Sequence, residues 1–138
     1  MGSRLGLVVA TYHEPIAEQM ETQARAMADD LGVVVEHTYH VPGAYDTVLP
    51  ADRLARRSDI DAVAVIGTII TGETDHDQVI AHAVANQLHE IAREYDTPVT
   101  FGIAGPGMSP AVANERLDYG ANAVRAAVEL VAELEGQS

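Results

Sequence analysis

The stretch that decides the fold is Val63-Ala64-Val65-Ile66-Gly67-Thr68-Ile69-Ile70-Thr71-Gly72-Glu73-Thr74-Asp75-His76-Asp77-Gln78. It opens with a near-continuous apolar run, which is typical of a strand buried on both faces of a parallel sheet. A turn of glycine, threonine and carboxylates follows, and an amphipathic pattern begins near Gln78. Ligands of open α/β sheets bind where a central strand ends, and His76 can move protons near neutral pH. We therefore predict that this turn belongs to an active site.

Strands and helices are predicted to alternate on both sides of this stretch. The predicted strands are 5–10, 33–41, 62–70 and 99–104, and the predicted helices are 16–31, 45–57, 78–95 and 111–134. We expect the second helix to be interrupted near Pro50 and the last helix to break near Gly120. Residues 105–110 are rich in glycine and proline, which predicts a loop. The alternation favours one domain over residues 1–138, with a four-stranded parallel sheet between two helical layers.

The charge balance excludes some functions. The chain has 21 acidic and 8 basic residues, a formal net charge of −13, and each basic residue is an arginine. A nucleic-acid partner is not expected, because such proteins need a basic face to displace counterions. The acidic excess favours a protein adapted to high salt, which screens the repulsion between its charges. Without cysteine or an apolar run long enough for a membrane span, we expect a cytoplasmic location and no membrane partner.

Three stretches, in this order and spacing, resemble one known family. They are residues 41–46 (Val-Pro-Gly-Ala-Tyr-Asp), residues 67–76 (Gly-Thr-Ile-Ile-Thr-Gly-Glu-Thr-Asp-His) and the segment from Phe101-Gly102-Ile103 to Glu115-Arg116. Together they resemble the 6,7-dimethyl-8-ribityllumazine synthases. The turn Gly-Glu-Thr-Asp-His-Asp and the segment from Gly105-Pro106-Gly107-Met108 to Asp118-Tyr119-Gly120 are similar to the archaeal branch.

The resemblance implies an enzyme of riboflavin biosynthesis. Its members are transferases that condense 5-amino-6-(D-ribitylamino)uracil with 3,4-dihydroxy-2-butanone 4-phosphate, losing phosphate and water, without a metal or other cofactor. The implied fold is flavodoxin-like. The implied partners are these small molecules and further copies of the chain, in a pentamer or in an icosahedral shell of twelve pentamers.

The resemblance also implies the site residues. His76 matches the acid/base histidine. The pyrimidine and ribityl groups would be bound by Tyr12, Ala44, Tyr45, Asp46, Thr68, Ile69, Ile70 and Phe101, of which Phe101 would come from a neighbouring subunit. The phosphate would be bound by Gly72, Glu73 and Thr74, and by Arg116 reaching in from a neighbouring subunit.

The residue types at these positions suit the implied chemistry. A glycine turn and a helix N-terminus favour an anion, and a guanidinium fits phosphate oxygens. An aromatic ring such as Tyr12 can stack on a pyrimidine. The family more often has Glu at position 46, Asn at position 13 and a lysine soon after Arg116. The last departure weakens the expectation of a second phosphate contact, and His13 is interpreted as a turn residue.

Two alternatives remain open from the sequence. An archaeal-type riboflavin synthase shares the fold, and a flavin- or lumazine-binding shell protein could have lost catalysis. A metal site at His82 and His89 is not expected, because the spacing lacks carboxylate or cysteine partners. The chain also lacks the glycine patterns of dinucleotide- and nucleotide-binding enzymes.

Overall fold

The computed structural model describes residues 3–70, 76–108 and 117–136. Its elements are β1 (Arg4–Ala10), α1 (Glu14–Asp30), β2 (Val34–Val41), a 3-10 helix (Ala44–Thr47), α2 (Val48–Ala55), β3 (Ala62–Ile70), α3 (His76–Tyr95), β4 (Val99–Met108) and α4 (Asp118–Gly136). The strands form one sheet in the order β2-β1-β3-β4, and each neighbouring pair is parallel. The predicted four-stranded parallel sheet is confirmed.

Strand β3 lies between β1 and β4 and is buried on both faces, as its apolar run predicts. Val63 and Val65 pack with α2 and α3, whereas Ala64 and Ile66 pack with α1 and α4. Side chains alternate between the faces of a strand, so each face of β3 contributes to a separate core. The result is a three-layer α/β fold with two helices on each side.

The region after β3 and the end of β4 differ from the sequence prediction. Helix α3 begins at His76, earlier than the predicted start at Gln78. Strand β4 continues to Met108, although the glycine- and proline-rich segment predicts a loop from residue 105. This prediction was wrong as far as Met108, whose backbone pairs with Ile70 after a register shift in β3. An edge strand tolerates proline because one side of its backbone needs no partner in the sheet.

The helices also show where the predicted boundaries were wrong. The segment predicted as one helix from residue 45 to 57 consists of the 3-10 helix and α2, which join at Thr47 rather than at Pro50. Pro50 lies in the first turn of α2, where a backbone N–H has no partner within the helix. Helix α4 runs unbroken through Gly120. The predicted start of this helix, residues 111–116, lies outside the described residues.

Small residues let neighbouring elements of the same layer approach closely. A Cβ built on Gly120 would lie 2.7 Å from the carbonyl oxygen of Met20, so α4 touches the backbone of α1 at this point. Gly67 in β3 has φ of +154°, a conformation that suits glycine, and its Cβ would lie 2.7 Å from Ala10 Cβ. Glycine is therefore required at both positions by close contact.

None of the helices within the described ranges has the length and apolar character for crossing a membrane.

Edge strand β2 is attached to α1 by a charged network. Glu21 accepts hydrogen bonds from Arg25 Nε at 2.9 Å and pairs with His40 Nε2 at 2.8 Å, and Arg25 Nη2 donates to Thr38 Oγ1 at 2.9 Å. Burial raises the pKa of Glu21, but the hydrogen bonds and charges of His40 and Arg25 together lower this pKa below its ordinary value. The ionised carboxylate thus stabilises the attachment of β2.

We expect Gly120→Ala to destabilise the protein. The added methyl group would press on the Met20 backbone and separate α4 from α1, which should cost about 1–3 kcal/mol in the free energy of unfolding. Urea unfolding measures the change. Gly136→Ala is the matched control, because a Cβ there meets no atom within 4 Å. Equal unfolding free energies for the two variants would contradict the close contact.

We expect the Glu21 network to contribute to stability above the ordinary carboxylate pKa of 4.5. The pKa of Glu21 is lowered in the folded state, so this contribution is lost as the pH falls below 4.5 and through the lowered folded value. Between about pH 5 and about pH 3, the unfolding free energy of Glu21→Gln should therefore fall by less than the unfolding free energy of the wild type. Glu18→Gln, an exposed change on the same helix, should keep the wild-type pH dependence. If the unfolding free energies of wild type and Glu21→Gln depend on pH in the same way, the Glu21 network does not stabilise the fold as proposed.

Candidate active site at the carboxyl edge of the sheet

The segments that follow β1, β2 and β3 meet at one edge of the sheet. Parallel strands end at the same edge, so the turns that leave them are neighbours. Thr11 joins two of these segments, because its N–H and its hydroxyl both donate to the carbonyl of Val41, at 2.8 and 3.1 Å. The 3-10 helix that follows β2 contacts β1, β3 and α3.

The end of β3 extends beyond β1. The β1–β3 pairing ends at Val9 and Ile66, whereas the β3–β4 pairing continues to Ile70 and Met108. On the side of β1, the backbone of residues 67–70 therefore lies beyond the end of the strand pairing. Thr68 and Ile69 are buried, and Ile69 belongs to the core under α2 and α3. Their side chains pack into this edge of the sheet.

Two tyrosines predicted to contact the heterocycle or the ribityl chain are open to solvent. The residue exposures are 77% for Tyr12 and 69% for Tyr45. The ring of Tyr12 stands edge-on to the imidazole of His13, with 4.8 Å between the ring centroids and 82° between the planes. Both rings are therefore open to contact with a flat molecule, and covering such a large aromatic surface would be favourable.

The segment 44–46 holds its shape through its own hydrogen bonds. Asp46 Oδ2 accepts the N–H of Gly43 at 3.1 Å, and the buried hydroxyl of Thr47 donates to the carbonyl of Ala44 at 2.7 Å. Ala44 is buried under the segment. The carboxylate of Asp46 is thereby held at the turn and remains exposed. A cavity of about 720 Å³ borders Tyr45 and Asp46 and reaches α3 at Val84 and Gln87.

His76 is the first residue of α3 and is exposed, whereas the adjacent Asp77 is buried. Backbone N–H groups in the first turn of a helix have no partner within the helix, so an exposed histidine here lies beside a region that favours anions. The predicted phosphate residues Gly72, Glu73, Thr74 and Arg116 lie outside the described residues.

Phe101 lies apart from the other predicted site residues. It pairs with Val65 in the middle of β3, whereas the other described positions lie at or beyond the carboxyl ends of their strands. It is 37% exposed and lines a second cavity of about 710 Å³, between α3 and α4, together with His89, Tyr119 and Asn122. Within the chain, Phe101 and Tyr45 thus line different cavities.

His13, interpreted from the sequence as a turn residue, lies in the turn directly before α1. Its Nε2 is buried and has no hydrogen-bond partner in the described part of the chain, although the residue as a whole is partly exposed. Across the described ranges, no three His, Cys, Asp or Glu side chains cluster in a way that could hold a metal ion.

Comparisons with known proteins agree over nearly the whole chain. Residues 2–135 match the family model described as 6,7-dimethyl-8-ribityllumazine synthase. A protein of that name from Halobacterium salinarum is 58% identical over 132 residues, which are 96% of this chain and 99% of the relative. Relatives of the same name from Halorubrum lacusprofundi and Methanocaldococcus jannaschii are 55% and 44% identical, covering 95% and 94% of this chain and 98% and 92% of their own.

Proposed function

Because the chain belongs to the 6,7-dimethyl-8-ribityllumazine synthase family, it is a transferase of riboflavin biosynthesis, and we propose that its reaction takes place at the carboxyl edge of the sheet. The reaction condenses 5-amino-6-(D-ribitylamino)uracil with 3,4-dihydroxy-2-butanone 4-phosphate. The relatives that match nearly the whole chain are named lumazine synthases. This similarity favours a lumazine synthase over the two alternatives, a riboflavin synthase and a shell protein without catalysis.

The observation that carries the proposed site is the position of His76. It is exposed, begins α3, and follows the β3 end that extends past β1. Formation of the imine, loss of phosphate and ring closure each move a proton, and a placed histidine contributes about 10²–10⁴-fold to such steps. His76 supplies this proton transfer. Holding two substrates side by side supplies much of the remaining acceleration.

The other predicted residues then have distinct tasks. Tyr12 stacks on the uracil ring, while backbone groups of Thr68, Ile69 and Ile70 hydrogen-bond its edge. Ala44, Tyr45 and Asp46 bind the ribityl hydroxyls; the exposure of the Asp46 carboxylate supports this assignment. The phosphate is bound by Gly72, Glu73 and Thr74 before α3 and by Arg116. These phosphate contacts rest on the family resemblance.

We assign Phe101 to the site of a neighbouring subunit. Its separation from Tyr45 within one chain and its partial exposure on the edge strand support this assignment. Exposed apolar side chains surround both cavities, among them Leu49 beside the first and Leu130 beside the second. Exposed apolar surface of this kind favours contact with a further copy. The chain therefore forms a homo-oligomer, for which the family resemblance predicts pentamers, alone or twelve to a shell.

Salt is expected to support the fold and the assembly. Thirteen net negative charges on each subunit repel one another, and the Debye length falls from about 10 Å at 0.1 M salt to about 3 Å at 1 M. This repulsion and the similarity to a chain from Halobacterium salinarum support the prediction of a salt-adapted protein. The cytoplasmic location remains a prediction.

A subunit-mixing experiment tests the site and its sharing. His76→Ala and Phe101→Ala should each lose most of the formation of fluorescent lumazine. When the two are co-expressed, about one site in four should combine an intact His76 with an intact Phe101 from its neighbour, by random assembly of a symmetric oligomer. Activity should therefore return in the mixed assembly.

Co-expression of His76→Ala with Tyr12→Ala is the matched control. His76 and Tyr12 would come from the same subunit, so mixing these two variants creates no intact site and should restore nothing. Rescue in the control, or no rescue in the His76→Ala and Phe101→Ala mixture despite assembly, would contradict the shared site.

Stability in salt is the second measurement. The thermal midpoint should rise as KCl increases from about 0.1 M to about 3 M, because screening removes repulsion. Glu129→Gln with Glu133→Gln, on the exposed face of α4, should lower the KCl needed for the same midpoint. If the thermal midpoints of both the wild type and the double variant are independent of KCl, the prediction of a salt-adapted surface is wrong.

A further inference from the structure

The second cavity, between α3 and α4, is a groove whose lining differs from the acidic character of the chain. Asp and Glu make up 21 of the 138 residues, yet none of the described residues that line this groove is acidic. Several of its polar side chains can donate hydrogen bonds, namely Asn86, His89, Thr100, Tyr119 and Asn122. A surface of this kind can meet an acidic protein without repulsion between like charges.

The floor of the α3–α4 groove is formed by part of β4, the edge strand of the sheet. The side of its backbone that faces away from β3 has no neighbouring strand in the described sheet. Phe101 and Leu130 add exposed apolar side chains to the same groove. Open strand edges and exposed apolar patches are surfaces that folded proteins usually cover with another element or another chain.

The corner formed by the 3-10 helix and the first turn of α2, residues 44–50, has the complementary character. Leu49 is 61% exposed, and Tyr45 is exposed on the same corner. The carboxylates of Asp46 and Asp52 line the cavity that this corner borders. Its apolar side chains suit the apolar part of the α3–α4 groove, and carboxylates accept hydrogen bonds from amide and imidazole N–H groups.

Helix α3 separates the corner from the groove within one chain. Ala83, Val84 and Gln87 of this helix border the cavity beside the corner, whereas Asn86 and His89 border the groove. The two surfaces are therefore placed to meet between two copies of the chain. Such a contact joins different surfaces of the two copies, so it is heterologous, and repeated contacts of this type close into a ring when the rotation allows.

We propose that the α3–α4 groove binds the corner 44–50 of a second copy, with Leu49 packed against the apolar side chains Phe101 and Leu130. Each copy uses its corner towards one neighbour and its groove towards the other. The contact rests on the proposed function in one respect, because it brings Phe101 of one copy to Tyr45 of the next and so completes the shared site.

Cysteine cross-linking tests this contact, since the chain contains no cysteine of its own. Leu49→Cys places a thiol on the corner and Ala126→Cys places one in the groove, both at exposed positions. A short bismaleimide is added to the assembled double variant in high salt. We expect a ladder of covalently linked chains on a denaturing gel, ending at the ring size that light scattering gives for the intact assembly.

Leu49→Cys combined with Glu18→Cys is the matched control, because Glu18 is also exposed but lies on α1, on the opposite face of the sheet. This pair and each single variant should remain unlinked. Linked dimers from Ala126→Cys alone would mean that two grooves face each other, and they would overturn the proposal. An assembled Leu49→Cys and Ala126→Cys protein without cross-links, or a wild type that is monomeric in high salt, would also overturn it.

A charge pair provides a second test that does not depend on the cross-linker. Leu49→Glu should weaken assembly more than about tenfold, because it places a carboxylate against apolar side chains. Adding Ala126→Arg should restore most of the assembly, whereas adding Glu18→Arg should not. Equal assembly of all three variants would contradict the contact. Circular dichroism shows whether each variant is folded, and light scattering measures its assembly.

The contact and the proposed function can fail separately. A protein that assembles and cross-links as expected but forms no lumazine would refute the proposed function and support the contact. An active enzyme whose corner and groove do not cross-link would refute the contact and support the function.

Discussion

The fold depends on the burial of β3 on both faces of the sheet. A strand that is apolar on one face alone could lie at an edge or cover a single layer. Because Val63 and Val65 need one apolar partner and Ala64 and Ile66 another, helices must cover both sides of the sheet. The parallel direction of all four strands follows from the helical crossovers between them, and it brings every strand-ending turn to a common edge.

Close contacts between backbone segments then determine the shape of that edge. Gly67 allows β3 to pass against Ala10 just where β1 leaves the sheet, and the bond from Thr11 to Val41 brings the next turn over the end of β2. Among the described residues, the proposed site lies at the ends of β1, β2 and β3, in the short segments that follow β1 and β2, and at the start of α3. Such a frame suits a condensation that relies on the alignment of two substrates more than on an array of catalytic groups.

Electrostatic interactions act on two scales in this chain. At short range, arginines pair with neighbouring carboxylates, as Arg25 does with Glu21, Arg4 with Asp61 and Arg57 with Asp59. Hydrogen bonds from Arg57 and then His37 lower the pKa of Asp59, so that carboxylate remains ionised beside β2. At long range, the remaining acidic excess repels, and salt screens it. Local pairs therefore hold particular elements together, while the net charge acts on the chain as a whole.

The sequence by itself determined the order of strands and helices, the two-sided burial of β3 and the family. Each of these follows from local periodicity or from residues in a fixed order, and such signals need no knowledge of distant contacts. The ends of strands and helices were predicted wrongly where contacts with a distant part of the chain determine them. Met108 is in a strand because Ile70 lies beside it, despite the glycine and proline before it, and the join at Thr47 depends on packing of the 3-10 helix against α3. Only the tertiary structure placed Phe101 in a cavity apart from Tyr45, and only it showed the buried Nε2 of His13. Burial and proximity arise from residues far apart in the chain, so local sequence patterns do not contain them.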